Sequence, residues 1–192
     1  MNICLYGASS NEIDKSYISA TERLGTVMAK RGHSLVFGGG GSGLMGAAAR
    51  GVYSAGGKIT GVAPSFFNVD GRLFEHCTEF VYTKTMRERK EIMETRADAF
   101  IMAPGGPGTF DEFFEIFTLR QLGRHTKPIA VFNVGGYYDG LKAMLENAAV
   151  QKFMTEQALK LCFFTEDPEK LFDYIENHKS DPSDIGSFKY IR

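Results

Sequence analysis

The sequence predicts an α/β protein built in three layers, with a central parallel sheet covered by helices on both faces. Three observations lead there. Short apolar or β-branched runs alternate with longer amphipathic ones along most of the chain, the pattern of repeated strand–helix units. The short runs lack polar alternation, as strands buried on both faces do. The chain has 192 residues, 43% hydrophobic and 23% charged, which suits one α/β domain with a substantial core. Residues 1–178 are expected to form that domain. Periodicity weakens beyond them, and 179–192 read as a C-terminal tail that is loose or docks on a partner subunit.

Each element has its own signal. Asn2–Tyr6 is an apolar first strand, followed by the turn Gly7-Ala8-Ser9-Ser10. Lys15–Lys30 carries Ile18, Leu24, Val27 and Met28 at helical spacing and closes at Arg31-Gly32, a basic last turn before a helix-stopping glycine. Ser34–Phe37 is a second strand that runs directly into Gly38-Gly39-Gly40-Gly41. Residues 44–55 form a small-residue helix ending at Gly56-Gly57, and 58–62 a third strand. Residues 66–75 show no clear period and read as an irregular connection before a short strand at 79–82. Residues 85–95 form a charged helix, with Thr85 at its N-cap and Glu88 completing a capping box. Strand 99–102, helix 109–122, strand 128–134 and helix 138–150 come next. A strand at 161–164 and the helix Pro168–Asn177, with proline in its first turn, end the domain.

Bulk chemistry narrows the function. A formal net charge of -1 gives no electrostatic footprint for nucleic acid or an anionic membrane. No apolar run approaches the roughly 20 residues that span a bilayer, and the first apolar stretch is too short for a signal-peptide core. The expectation is a cytoplasmic protein with no nucleic-acid or membrane partner. Cys4, Cys77 and Cys162 form no CxxC pair, and Cys4 and Cys162 lie in apolar runs, as packed thiols do. His33, His76, His125 and His178 are scattered, so no metal site is expected.

Ligands of a parallel α/β sheet collect beyond the carboxyl ends of its strands. Two turns there are glycine-rich: Phe37-Gly38-Gly39-Gly40-Gly41-Ser42-Gly43-Leu44-Met45-Gly46, and Pro104-Gly105-Gly106-Pro107-Gly108-Thr109-Phe110-Asp111-Glu112. Glycines admit a ligand close to the main chain, and the helix N-terminus behind them favours phosphate. Both turns therefore read as phosphate cradles. GxGxxG can be traced at Gly38, Gly40 and Gly43, but a glycine run satisfies many spacings. The following strand also lacks the acidic residue of an NAD site, and there is no GxxxxGK[ST]. In the second turn Asp111 and Glu112 lie in the first turn of the helix. Helix-dipole stabilisation explains acids there plainly. The chemical alternative is a carboxylate at a nucleotide's ribose, stabilising an oxocarbenium-like transition state or orienting the attacking water. Upstream, Met86-Arg87-Glu88-Arg89-Lys90 supplies cations. Pairs Arg87–Glu91 and Lys90–Glu94 would make a solvated face, yet three bases in four positions cannot share one face. One or two of them should point into the crevice.

Taken together, Pro104-Gly105-Gly106-Pro107-Gly108-Thr109-x-x-Glu112 and Met86-x-x-Arg89-Lys90 resemble the LONELY GUY (LOG) family. The resemblance extends from Gly7-Ala8-Ser9-Ser10 through Gly38-Gly39-Gly40-x-x-Gly43-Leu44-Met45-Gly46 to Gln121-Leu122-Gly123 and Asn133-Val134-x-Gly136-Tyr137-Tyr138. It implies a Rossmann-like three-layer fold, a homodimer and no cofactor. It also implies hydrolysis of purine or cytokinin nucleoside 5′-monophosphates to free base and ribose 5-phosphate. By position, Arg89 and Glu112 match the catalytic pair. Lys90, Gly105, Gly106, Pro107, Gly108, Thr109, Asp111, Thr118, Ser9 and Gly40 match substrate contacts. Asp111 stands where the family often has glutamate, Leu119 where it has an aromatic, and the stretch 69–75 departs from its pattern. The family is often mislabelled lysine decarboxylase, but no lysine here sits in a recognisable setting for pyridoxal phosphate. The alternative reading is a non-catalytic nucleotide-binding protein of the molybdenum-cofactor-carrier kind, which would keep the glycine turns without needing Arg89 and Glu112 together.

Overall fold

The computed structural model describes residues 1–68 and 71–179. Its strands are β1 (Asn2–Tyr6), β2 (Ser34–Phe37), β3 (Ile59–Pro64), β4 (Glu79–Thr83), β5 (Ala99–Met102), β6 (Ile129–Phe132) and β7 (Cys162–Thr165). They form one sheet in the order β4-β3-β2-β1-β5-β6-β7, and every neighbouring pair is parallel. The helices are α1 (Lys15–Lys30), α2 (Gly43–Ser54), α3 (Met86–Arg96), α4 (Pro107–Gln121), α5 (Asp139–Val150) and α6 (Pro168–Asn177).

Two cores flank the sheet, and the strands feed them alternately. Ile3 and Leu5 of β1 pack with Leu24, Phe37, Leu44 and Phe172 on the α1/α2/α6 side. Cys4 and Tyr6 pack with Met93, Phe100, Phe113 and Leu145 on the α3/α4/α5 side. The period of two along the central strands β5 and β6 likewise serves two apolar layers at once, with no polar position in either. This is the three-layer Rossmann-like fold expected. Strand order reverses between β1 and β5, so the crevice beyond their ends is the topological switch point where such sheets bind ligands. The two turns that leave it are stitched together, with Ala103 N–H donating to Tyr6 O at 2.8 Å and Ala8 N–H to Pro104 O at 3.0 Å.

Expected boundaries hold within about two residues, and the shifts have tertiary causes. β3 runs on to Pro64 because β4 pairs with it as far as Thr83. The short 3-10 turns Ser65–Phe67, Val134–Gly136 and Glu156–Leu161 carry no period to read. The capping box of α3 closes one residue upstream of its usual place. Thr85 Oγ1 accepts from Glu88 N–H at 3.1 Å, while the Glu88 carboxylate accepts from Lys84 N–H at 2.8 Å. Cys4 and Cys162 are buried free thiols. Among the described residues no helix is long and apolar enough to cross a membrane. Of the expected tail 179–192, all but Lys179 lies outside the described residues.

Candidate active site

The two glycine-rich turns do different work. At α4 the N-cap is Gly106, no side chain caps the helix, and Pro107 occupies its first turn. A Cβ built on Gly106 or Gly108 would meet no atom within 4 Å, so the fold itself does not need glycine there. Gly105 is different. Its Cβ would fall 2.2 Å from Thr109 Oγ1, so its bare backbone lets the buried Thr109 tuck under the turn. The start of α4 is therefore an open, uncapped helix terminus, which suits an anion.

At α2 the same donors are consumed internally. Gly43 N–H donates to Asn11 Oδ1 at 2.8 Å, and Leu44 and Met45 N–H to Ala8 O at 2.8 and 3.3 Å. The reading of this turn as a second phosphate cradle is corrected accordingly: its first-turn donors are tied to the β1 turn. Its glycines make room for protein. A Cβ on Gly38 would lie 1.9 Å from Arg89 Nη2, and one on Gly39 2.7 Å from the Phe80 ring. Gly40 bridges Leu73, Gly41 N–H donates to Arg72 O at 2.9 Å and Phe74 N–H to Gly39 O at 2.9 Å. The turn thus admits one charged side chain beside the Phe80 ring and docks the connection after β3.

That side chain is Arg89. It leaves the first turn of α3, is 7% exposed, and donates from Nε to Val62 O at 3.2 Å and from Nη1 to Glu112 Oε1 at 2.7 Å. Glu112, on α4, is 12% exposed. Burial pushes its carboxyl above the ordinary glutamate value of 4.5, and the Arg89 guanidinium pulls it back. Lys90 turns the other way, to Asp111 at 3.1 Å and Glu115 at 2.9 Å, so the expected pair with Glu94 gives way to contacts across to α4. These contacts hold α3 against α4 and fix the Arg89–Glu112 pair between them. Arg89 and Lys90 are the bases that point toward the crevice, while Arg87 is exposed.

A cavity of about 620 Å³ opens over this pair, within the range of small-ligand sites. Of the residues singled out from sequence, Ser9, Gly40, Arg89, Lys90, Gly106, Pro107, Gly108, Thr109, Asp111 and Glu112 line it. Gly105 lies beneath the lining rather than in it. Thr118 does not reach it: six residues beyond Glu112 on α4, it is about 9 Å further along the axis and exposed. Sequence reasoning missed Phe67, Arg72 and Leu73, which enter the wall from the connection after β3. Their one signal was the glycine run itself, which needed something to pack against it. Met45 and Met86 add apolar lining.

Lys90 is the lysine of this cavity. Its carboxylate partners, Glu115 foremost, raise its pKa. A Schiff-base lysine needs the opposite, a neutral amine. Among the described residues no cluster of three His, Cys, Asp or Glu side chains is placed to hold a metal ion.

Fold and site together define a Rossmann-like protein whose switch-point crevice joins an anion-ready helix terminus to a buried carboxylate–guanidinium pair. The chain belongs to the LONELY GUY (LOG) family. Residues 45–175 match the family model described as possible lysine decarboxylase. The chain is 35% identical over 187 residues to a probable cytokinin riboside 5′-monophosphate phosphoribohydrolase of Oryza sativa subsp. japonica, covering 97% of this chain and 76% of the relative. It is 34% identical over 176 residues to a cytokinin riboside 5′-monophosphate phosphoribohydrolase of Arabidopsis thaliana, covering 92% and 83%. Among solved structures, the molybdenum cofactor carrier protein of Chlamydomonas reinhardtii superposes with a TM-score of 0.70 at 18% identity, over 91% of this chain and 95% of that one. The molybdenum cofactor binding protein of Rippkaea orientalis gives 0.69 at 20%, over 91% and 94%. These last two likenesses establish the fold alone.

Proposed function

We propose that this protein is a phosphoribohydrolase that cleaves the N-glycosidic bond of a purine or cytokinin nucleoside 5′-monophosphate, releasing base and ribose 5-phosphate. The observation that carries the reading is the buried Arg89–Glu112 pair at 2.7 Å beside the uncapped start of α4. The 5′-phosphate sits on the N–H groups of Gly106, Gly108 and Thr109, with the helix dipole behind them. That places the ribose over Glu112. Water adds at C1′, the C1′–N bond breaks, and the base leaves with its electron pair and takes up a proton. Glu112 acts as the carboxylate that stabilises positive charge developing on the ribose or orients the water. Arg89 holds Glu112 ionised and in place from behind. Lys90, Thr109, Ser9 and Asp111 add polar lining, and Met45, Phe67, Leu73 and Met86 apolar lining. A non-catalytic carrier would leave the burial of Glu112 without a purpose. Family membership further supports a homodimer, the lack of a long apolar run a cytoplasmic setting, and the formal net charge of -1 a protein without nucleic-acid partners.

The test is direct. Purified protein is incubated with AMP and with isopentenyladenosine monophosphate, and the bases are separated by chromatography. Glu112→Gln, which keeps an acceptor for Arg89, should cut base release at least about 100-fold, the lower end for loss of a positioned acid or base, while nucleotide binding persists. Wild-type rates from Glu112→Gln would refute the mechanism, and no release by the folded wild type would refute the activity.

A further inference from the structure

We infer that Tyr137 is a positioning residue for the phosphate, acting through the backbone of the turn that starts α4; this role rests on the proposed site. The pair Tyr137-Tyr138 lies beyond β6, outside the cavity lining, and reaches back to the turn from below. Tyr137 Oη donates to Gly105 O at 2.9 Å, and Tyr138 Oη donates to Ala103 O at 2.8 Å.

The two bonds differ in consequence because the residue after each carbonyl differs. In a trans peptide the C=O and the next N–H point in opposite directions, and no cis peptide occurs among the described residues. Ala103 precedes Pro104, which has no N–H, so the bond to Ala103 orients no donor; the buried Tyr138 hydroxyl also engages the Gly105 backbone, on the side away from the Gly105–Gly106 peptide. Gly105 precedes Gly106, whose N–H is directed away from Tyr137 by that bond, toward the cavity that Gly106 lines. Two consecutive glycines leave this peptide plane unusually free to turn over. Inverted, it would aim the Gly105 carbonyl at the phosphate in place of a donor. The Tyr137 hydroxyl holds the productive orientation.

The surroundings support this role. Tyr137 is set by its own loop and by the rings of Tyr138 and Tyr17. Asn133 accepts from Tyr138 N–H at 2.6 Å and donates to Asp139 at 2.8 Å, and the Tyr17 ring meets the Tyr137 ring edge-on at 5.9 Å. Tyr137 is 45% exposed, so its hydroxyl adds little to stability, whereas Tyr138 is buried.

The experiment compares Tyr137→Phe with Tyr138→Phe by thermal melting, by calorimetric binding of inorganic phosphate, and by steady-state hydrolysis of AMP. Tyr137→Phe should melt with the wild type, bind phosphate about tenfold more weakly, in the range of one hydrogen bond to a charged group, and raise KM with a smaller effect on kcat. Tyr138→Phe should lower the melting temperature, with a smaller loss of phosphate affinity than Tyr137→Phe. Wild-type phosphate affinity in Tyr137→Phe would overturn the inference, as would a loss of affinity that tracks a fall in melting temperature. If the wild type binds phosphate and Tyr137→Phe weakens it, yet neither releases base, the hydrolase reading fails and the positioning role stands. If base is released but KM and phosphate binding are untouched, the reverse holds.

Discussion

At the scale of single residues, the site is governed by what may stand next to Arg89 and Glu112. Gly38 leaves the space that Arg89 Nη2 fills, since a Cβ there would approach it to 1.9 Å. Gly38→Ala should displace the guanidinium, a flexible group, and spare the backbone. Base release should fall about 100-fold, as for a misplacement near 1 Å, with little change in melting temperature. Gly43→Ala should invert that outcome. Its φ is +59°, and a Cβ would lie 2.4 Å from Ala8 O, a backbone atom that cannot yield. Stability should drop by roughly 1–3 kcal/mol in a denaturant titration. The Glu112 carboxyl sits above 4.5 through burial and is pulled down by Arg89. Activity that needs the carboxylate is lost as pH falls through that raised value. The acid limb of kcat/KM should therefore lie above 4.5 and move higher still in Arg89→Gln. Sequence made the two residues visible as types at a spacing. It could not show that one would be buried against a glycine and the other buried against it.

At the scale of elements, the two helix starts carry the lesson. A run of glycines reads the same whether the missing Cβ makes room for a ligand or for protein. Sequence alone therefore offered two cradles. Hydrogen bonding separates them, because Asn11 and Ala8 occupy the N-terminus of α2 while that of α4 has no side-chain cap. Helices and strands with a clear period were legible to within a residue or two, as with α1 and α6, because their burial is dictated by spacing. The connection that brings Phe67, Arg72 and Leu73 into the cavity was not, since it is held by Gly41 and Gly39 from a distant part of the chain.

At the scale of the whole molecule, stability should depend on pH through a histidine far from the chemistry. Burial holds His125 neutral and depresses its pKa from 6.5 to about 4; Nε2 lies 2.8 Å from Ile116 O, and buried Nδ1 has no partner. Between those values the unfolded chain binds a proton that the folded one refuses, so stability falls as pH drops from 6.5 toward 4. Melting curves from pH 7 to 5 should show the decline, and His125→Gln should flatten it. Some slope will remain, because burial and Arg120 also depress His178. Light scattering should give twice the chain mass of 21.2 kDa for the proposed homodimer. Finally, Gly106 and Gly108 face open space, so neither is required by any neighbouring protein atom. Gly108 in particular stands inside a helix that alanine would favour by up to about 1 kcal/mol. The protein is thus less robust than its own backbone allows, and the shortfall is concentrated where the proposed nucleotide approaches. Gly108→Ala should melt higher and hold nucleotide less well, a trade between durability and use written into one missing methyl group.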